Sequence, residues 1–234
     1  MSALRDIVVI ERAGRLAGAI GASLLSELGA TVIRVEDPSL PPPPEPESWH
    51  THPLPLAGKT LVRLAVDADT AQRQWRDLMA RADTIIHSPP LPTIDAAPPG
   101  VVCCDVSAFG RENDSGLPND ANEVILQAIG GVMSPTGMAG GPPEFVGVPL
   151  VEFFTGVNCA VAIAAALRVR DKSGPGQRID LAALDAAVAL TGAYIGHMQT
   201  GAAHDLRAGA RHPLCCPWNA YPTRDGKKAL MCSS

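Results

Sequence analysis

Apolar positions along this chain follow two periods, and their alternation predicts its elements before any single residue is considered. Short runs rich in β-branched side chains occur at residues 6–10, 30–36, 59–65, 84–87, 101–106 and 177–181. Branched side chains fit a pleated surface, so these runs predict strands, the one at 101–106 buried. Helix-like stretches fall at residues 22–28, 68–81, 153–170 and 182–198, with a shorter one from Glu123 that stops at Gly130 and Gly131. The strand, glycine loop, helix and strand over residues 6–36 form a βαβ unit. Its continued βα alternation predicts an α/β fold, a Rossmann-like doubly wound parallel sheet with flanking helices. A proline-rich run at 38–55 excludes helix or central strand and reads as an extended surface connection, with a docking segment for a proline-recognising module as the alternative. Beyond residue 198 the pattern becomes irregular, until 227–232 reads as the start of a strand.

Composition narrows the function classes. Net charge is -5 and aromatic content is 4% without a basic stripe, so nucleic-acid binding is not expected. No apolar run reaches the roughly 18 to 20 residues of a membrane span. The N-terminus has no secretory pattern, and a cytoplasmic protein is expected. The six cysteines, Cys103, Cys104, Cys159, Cys215, Cys216 and Cys232, show no C-x-x-C spacing, so neither a metal site nor a disulfide framework is expected. Gly14, Gly18 and Gly21 precede an acid at Glu36, as in a dinucleotide-binding unit, but their spacing is not G-x-G-x-x-G and nicotinamide binding is disfavoured.

One carboxylate stands apart. Glu152 lies among apolar residues at a predicted helix start, where an ionised and unpaired acid would cost several kcal/mol. It is therefore either satisfied by local N–H groups at the positive end of the helix or kept for chemistry. Upstream, Gly137, Gly140 and Gly141 let backbone segments approach closely, and the strand ending at Ser107 runs into a loop at Phe109 and Gly110. Strand ends followed by glycine loops are where doubly wound sheets bind ligands.

Four blocks in order, residues 16–36, 107–110, 127–137 and 174–186, resemble the family III CoA-transferases, the carnitine and bile-acid (CaiB/BaiF-like) group. The likeness covers residues 4–190 and corresponds to the N-terminal half of such a protein. It implies transfer of CoA between an acyl-CoA and a carboxylic acid, with coenzyme A as substrate and no permanently bound cofactor. It places Glu152 where the family carries a nucleophilic aspartate, Gly137, Gly140 and Gly141 as oxyanion-stabilising amides, and Leu16, Ala17, Phe109 and Gly110 as CoA contacts. It also implies a large domain over 1–198, then 199–234 as linker and start of a smaller domain that is truncated or absent. The expected partner is a second copy of the chain or a second-half polypeptide.

The sequence departs from the family pattern at several of these places. Glu152 is one methylene longer than aspartate, and Leu16 stands where glutamine or arginine is usual. Asp37, Asp67 and Ser88 do not supply the expected nucleotide contacts. A racemase relay would need histidine where Asn122 precedes Glu123, which ranks racemase last. A homologue that binds CoA thioesters or a partner subunit without chemistry is the alternative to a working transferase.

Overall fold

The computed structural model describes residues 2–38, 57–88, 97–119, 121–199, 207–212 and 216–232. The proline-rich connection, apart from Pro38 at its entry, lies outside the described residues. Among the described residues eight strands form: β1 (Val8–Arg12), β2 (Thr31–Glu36), β3 (Lys59–Arg63), β4 (Thr84–His87), β5 (Val102–Ser107), β6 (Arg178–Ala182), β7 (Trp218–Pro222) and β8 (Lys228–Cys232). The helices are α1 (Leu16–Glu27), α2 (Ala68–Met79), α3 (Glu123–Ile129), α4 (Leu150–Ser173), α5 (Ala183–Leu190) and α6 (Gly192–Gln199). Strands β1 to β6 make one sheet in the order β3-β2-β1-β4-β5-β6, every pair parallel, while β7 and β8 form a separate antiparallel hairpin. This is the doubly wound arrangement expected from the βα alternation. Strand order reverses between β1 and β4, which opens a crevice at their C-terminal ends.

Strand alternation sorts the core onto two faces. Val9, Ile86, Cys104 and Val106 point to the side carrying α1 and α4, and Ile10, Ile85 and Cys103 point to the side packed by Trp75 and Leu78 of α2. The Cys104 and Cys159 sulfurs lie 3.7 Å apart inside the first layer, and the shared S–H hydrogen bond together with burial pushes the Cys104 thiol well up. A charged cluster lies beneath α1. Glu11 is fully buried and pairs with Lys59 at 2.6 Å and Arg34 at 2.9 Å, and the Lys59 ammonium also donates to the Ala19 carbonyl at 2.7 Å. Burial raises the Glu11 carboxyl against these cations and lowers the Lys59 ammonium against Glu11.

Several boundaries differ from the sequence expectation for physical reasons. Helix α1 begins at Leu16 rather than near residue 22, because Gly18 and Gly21 lie inside it and face close neighbours. A Cβ on Gly21 would stand 2.8 Å from the Cys159 sulfur, and one on Gly156 would stand 2.7 Å from the Ile20 Cβ and 2.9 Å from the Ala17 carbonyl oxygen. These glycines let α1 and α4 cross in backbone contact. The stretch at 182–198 divides at Thr191, whose hydroxyl donates to Val188 O at 2.9 Å and Gly130 O at 3.3 Å. Trp218, expected in irregular chain, begins β7.

The expectation about membrane-length segments needs correction. Helix α4, 24 residues long with a hydropathy of 1.9 over its most apolar window, is long and apolar enough to cross a membrane. Half of that window is buried within the fold, where Cys159, Ile163 and Leu167 join the layer between α1 and the sheet. Such burial is the arrangement of a core helix.

The α1–α4 crossing predicts the effect of one methyl group. Gly156→Ala gains helix propensity but meets backbone at Ala17, and overpacking of this kind costs about 1–3 kcal/mol. Urea denaturation should show a lower midpoint with an unchanged slope; an unchanged midpoint would show that the two helices slide apart freely.

Candidate active site

The site forms where three helix starts meet at the C-terminal edge of the sheet. After β1 the chain turns into α1 at Arg15, whose backbone N–H donates to the Ser88 hydroxyl at 3.3 Å, just past the end of β4. Helix α1 has no cap from its own side chains. Its Ala17 amide instead donates to Glu152 Oε2 at 2.8 Å. The other oxygen, Oε1, accepts from the Arg15 guanidinium, which also donates to Ala121 O at 2.9 Å. Glu152 is 6% exposed, so an acid in the first turn of α4 is held at the first turn of α1. A negative charge at a helix N-terminus is favoured by the orphan amides and the helix dipole. The acid is thus satisfied by a neighbouring helix, not by its own.

The start of α4 is capped by a second acid. Glu123, the first residue of α3, accepts from Val151 N on Oε1 and from Glu152 N on Oε2, both at 2.9 Å. Gln127, one turn along α3, donates to Glu123 Oε1 at 2.7 Å and accepts from Val146 N at 3.0 Å, which holds the chain entering α4. Burial raises the Glu123 carboxyl, and the repulsion of Glu152 adds to this against the hydrogen bonds from Gln127, Val151 and Glu152. Asn122 is the N-cap of α3, its side chain accepting from Ile125 N at 3.1 Å.

Of the remaining sequence candidates, Leu16, Ala17, Phe109 and Gly110 lie at the same edge of the sheet but do not form one contact set. Leu16 and Ala17 follow β1, and Phe109 and Gly110 follow β5, so they flank β4. Phe109 N donates to Asn119 Oδ1 at 3.0 Å, and Gly110, at φ +86, donates to the Ser107 hydroxyl at 2.9 Å. In the glycine loop, Gly137 accepts from Gly209 N at 3.0 Å through its carbonyl. Gly141 donates its N–H to Met138 O at 2.9 Å, and positive φ angles at Gly137 and Gly140 turn the loop. The Gly141 amide is therefore committed inside that turn.

The departures at Asp37, Asp67 and Ser88 have local explanations. Asp37 pairs with Arg12 at 2.6 Å, and the Arg12 guanidinium lies 4.8 Å over the Trp75 ring. Asp67 caps α2 through Thr70 N at 2.9 Å, which holds its carboxyl below the usual range. Ser88 receives the Arg15 amide. On the α2 side of the sheet, Asp105 meets Arg111 at 2.9 Å and Arg178 at 3.1 Å, with His87 Nδ1 at 3.4 Å. Burial opposes its charge, but His87, Arg111 and Arg178 outweigh that and hold Asp105 below the usual range. Among the described residues no cluster of three or more His, Cys, Asp or Glu side chains could hold a metal.

Sequence reasoning missed Arg15, Glu123 and Gln127. The i, i+4 spacing of Glu123 and Gln127 is a readable signal for their side-chain contact, but nothing near Arg15 announces a partner 137 positions away.

A parallel sheet with order reversal at β1 and β4, and a buried carboxylate at that crevice, defines a Rossmann-type α/β protein, a class whose ligands bind at the switch point. The family model for CoA-transferase family III matches residues 4–234, and the chain belongs to that family. It is 29% identical over 251 residues to a succinyl-CoA:mesaconate CoA-transferase from Haloarcula hispanica, covering 97% of this chain and 63% of that protein. It is 30% identical over 248 residues to a succinate–glutarate CoA-transferase from Agrobacterium fabrum, covering 95% and 61%. The crystal structure of a CAIB/BAIF family protein from Brucella suis superposes with a TM-score of 0.80 at 26% identity, over 96% of this chain and 65% of that one. The chain thus spans 61% to 63% of the length of these two curated relatives.

The raised Glu123 carboxyl gives a pH prediction. An acid whose folded pKa lies above its unfolded value adds stability below the unfolded pKa and loses it as pH rises through the folded one. Measured against Glu123→Gln, the wild-type chain should gain stability as pH falls from about 7 towards the ordinary glutamate value of 4.5. Urea midpoints of both proteins across that range test this, and a difference that is flat or of opposite slope would contradict it.

Proposed function

We propose that the chain is the nucleophile-bearing part of a CoA-transferase that moves CoA between an acyl-CoA and a carboxylic acid through an enzyme-bound carboxyl intermediate on Glu152. The supporting observation is the buried Glu152 carboxylate at the switch-point crevice of a family III fold. Glu152 attacks the thioester carbonyl to give a mixed anhydride and CoA thiolate. The thiolate then attacks the glutamyl carbonyl and releases the donor acid, leaving an enzyme CoA thioester that the acceptor acid resolves by the reverse steps. Backbone amides of the loop at Gly137, Gly140 and Gly141 are the candidates to stabilise the oxyanions, the Gly141 amide by leaving its turn partner Met138. Leu16, Ala17, Phe109 and Gly110 line the proposed path of CoA. Residues 1–198 make up the large domain in this reading, and 199–234 lead into a smaller one.

A second reading has its own support. Both Glu152 oxygens are engaged, by Arg15 and by the Ala17 amide, as in a structural cap. A homologue without chemistry would use the same fold to bind CoA thioesters or a partner subunit. Racemase activity gains no support, since Asn122 caps α3 in place of a proton-transferring histidine.

Aspartate at position 152 is too short to keep both contacts at α1 and would present its carboxyl to the crevice. CoA exchange should therefore rise in Glu152→Asp over wild type by about 10- to 100-fold, the scale of an ångström's displacement, and vanish in Glu152→Gln. Succinyl-, acetyl- and formyl-CoA serve as donors, with mesaconate and glutarate among the acceptors because relatives are named for them. A wild-type rate well above that of the aspartate variant would make the longer side chain the adapted nucleophile. No exchange in any variant, with a second-half polypeptide supplied, would leave the binding reading.

The proposed partner is a second copy or a second-half chain. Phe153, Val157 and Val161 repeat every four residues along the outer face of α4 and are 43% to 63% exposed. Exposed apolar stripes of this kind drive association. Light scattering at micromolar concentration should give an oligomer, and a monodisperse monomer would contradict it.

A further inference from the structure

Arg15 is 5% exposed and enclosed from several directions. Its amide donates to Ser88 Oγ, one guanidinium nitrogen donates to Ala121 O, and another donates to Glu152 Oε1. Its Nε is buried with no hydrogen-bond partner, so the side chain is placed for the carboxylate and the carbonyl even though one donor is left over. With Ala17 N on Oε2, the Glu152 carboxylate is gripped through both oxygens. Hydrogen bonds that are strongest to a resting anion lower the ground state more than the transition state, and they slow attack by that anion.

We propose that Arg15 is a positioning residue that restrains Glu152, holding it as the cap of α1 and setting the rate at which it is acylated. This rests on the reading of Glu152 as the carboxyl that accepts the acyl group. For attack, Oε1 leaves the guanidinium and bonds to the thioester carbonyl carbon. The C–S bond breaks and its electron pair departs with sulfur as CoA thiolate, the nucleophile of the step that follows. The glutamyl side chain is then a neutral anhydride, with no anionic oxygen for Arg15 to hold, and the guanidinium keeps only its Ala121 carbonyl. Each acylation therefore breaks the Arg15–Glu152 contact.

The test uses the full chain as wild type, Arg15→Gln and Arg15→Lys, with acetyl-CoA or succinyl-CoA and hydroxylamine. Hydroxylamine that attacks the glutamyl carbonyl of the anhydride releases the acyl carboxylate and leaves a hydroxamate on Glu152, which peptide mass spectrometry counts. The limiting rate of labelling and the half-saturating thioester concentration are both measured, with a thermal melt of each protein. Arg15→Gln should raise the limiting rate about 10-fold, the worth of one charge-assisted hydrogen bond, with half-saturation unchanged. Arg15→Lys keeps a cation but cannot bridge Glu152 and Ala121 together, and it should fall between the two. A purely structural role would lower the melting temperature and the rate together in both variants. Should the glutamine variant fail to fold, the lysine variant decides, and a rate at or below wild type overturns the proposal. Wild-type labelling with an equal or slower Arg15→Gln overturns the restraint and leaves Glu152 as the acyl acceptor. Absence of label on Glu152 in all three proteins overturns both readings.

Discussion

A helix that starts in a buried place needs an acceptor for its first amides, and α1 has none of its own because its N-cap residue is an arginine. Glu152 supplies that acceptor from the first turn of α4, so the two helix starts must lie side by side. An unmade hydrogen bond at that depth would cost about 1–3 kcal/mol for the amide, and more for a carboxylate left without Arg15. The glycines at 21 and 156 follow from the same constraint, since they let the backbones of α1 and α4 approach closely enough for the carboxylate to reach.

The constraint repeats one step back along the chain. The amides of α4 are capped by Glu123, which is held in turn by Gln127, and Gln127 also fixes the bent approach at residues 146–148. Two acids, each capping a neighbour, thus tie three helices together. The position of Glu152 depends on contacts beginning in α3, and a change at Glu123 acts on Glu152 through the backbone it caps.

The same edge of the sheet shows how a family pattern can be altered without loss of the fold. Asp37, Asp67 and Ser88, where the family resemblance led to an expectation of nucleotide contacts, are taken up by local pairings with Arg12, with the start of α2 and with the amide of Arg15. None of these pairings disturbs the strand order. The sheet is secured by apolar side chains on both faces, so the residues at its C-terminal rim can change while the layers remain.

Periodicity in the sequence determined the six strands of the parallel sheet, their βα alternation and the existence of the long apolar helix, because side-chain burial on a regular element repeats at a fixed spacing. The oddity of Glu152 was legible too, since a lone acid in apolar surroundings conflicts with its solvation. Its partner was not. Arg15 stands 137 positions away and Glu123 stands 29 positions before the amide it caps, and neither contact has a local signature. Helix α1 likewise looked shorter in the sequence, because glycines read locally as a loop and only the close crossing with α4 makes them helical. Tertiary structure alone decided that the acid caps a helix other than its own, because that outcome depends on which two helix starts the parallel sheet brings together at its switch point.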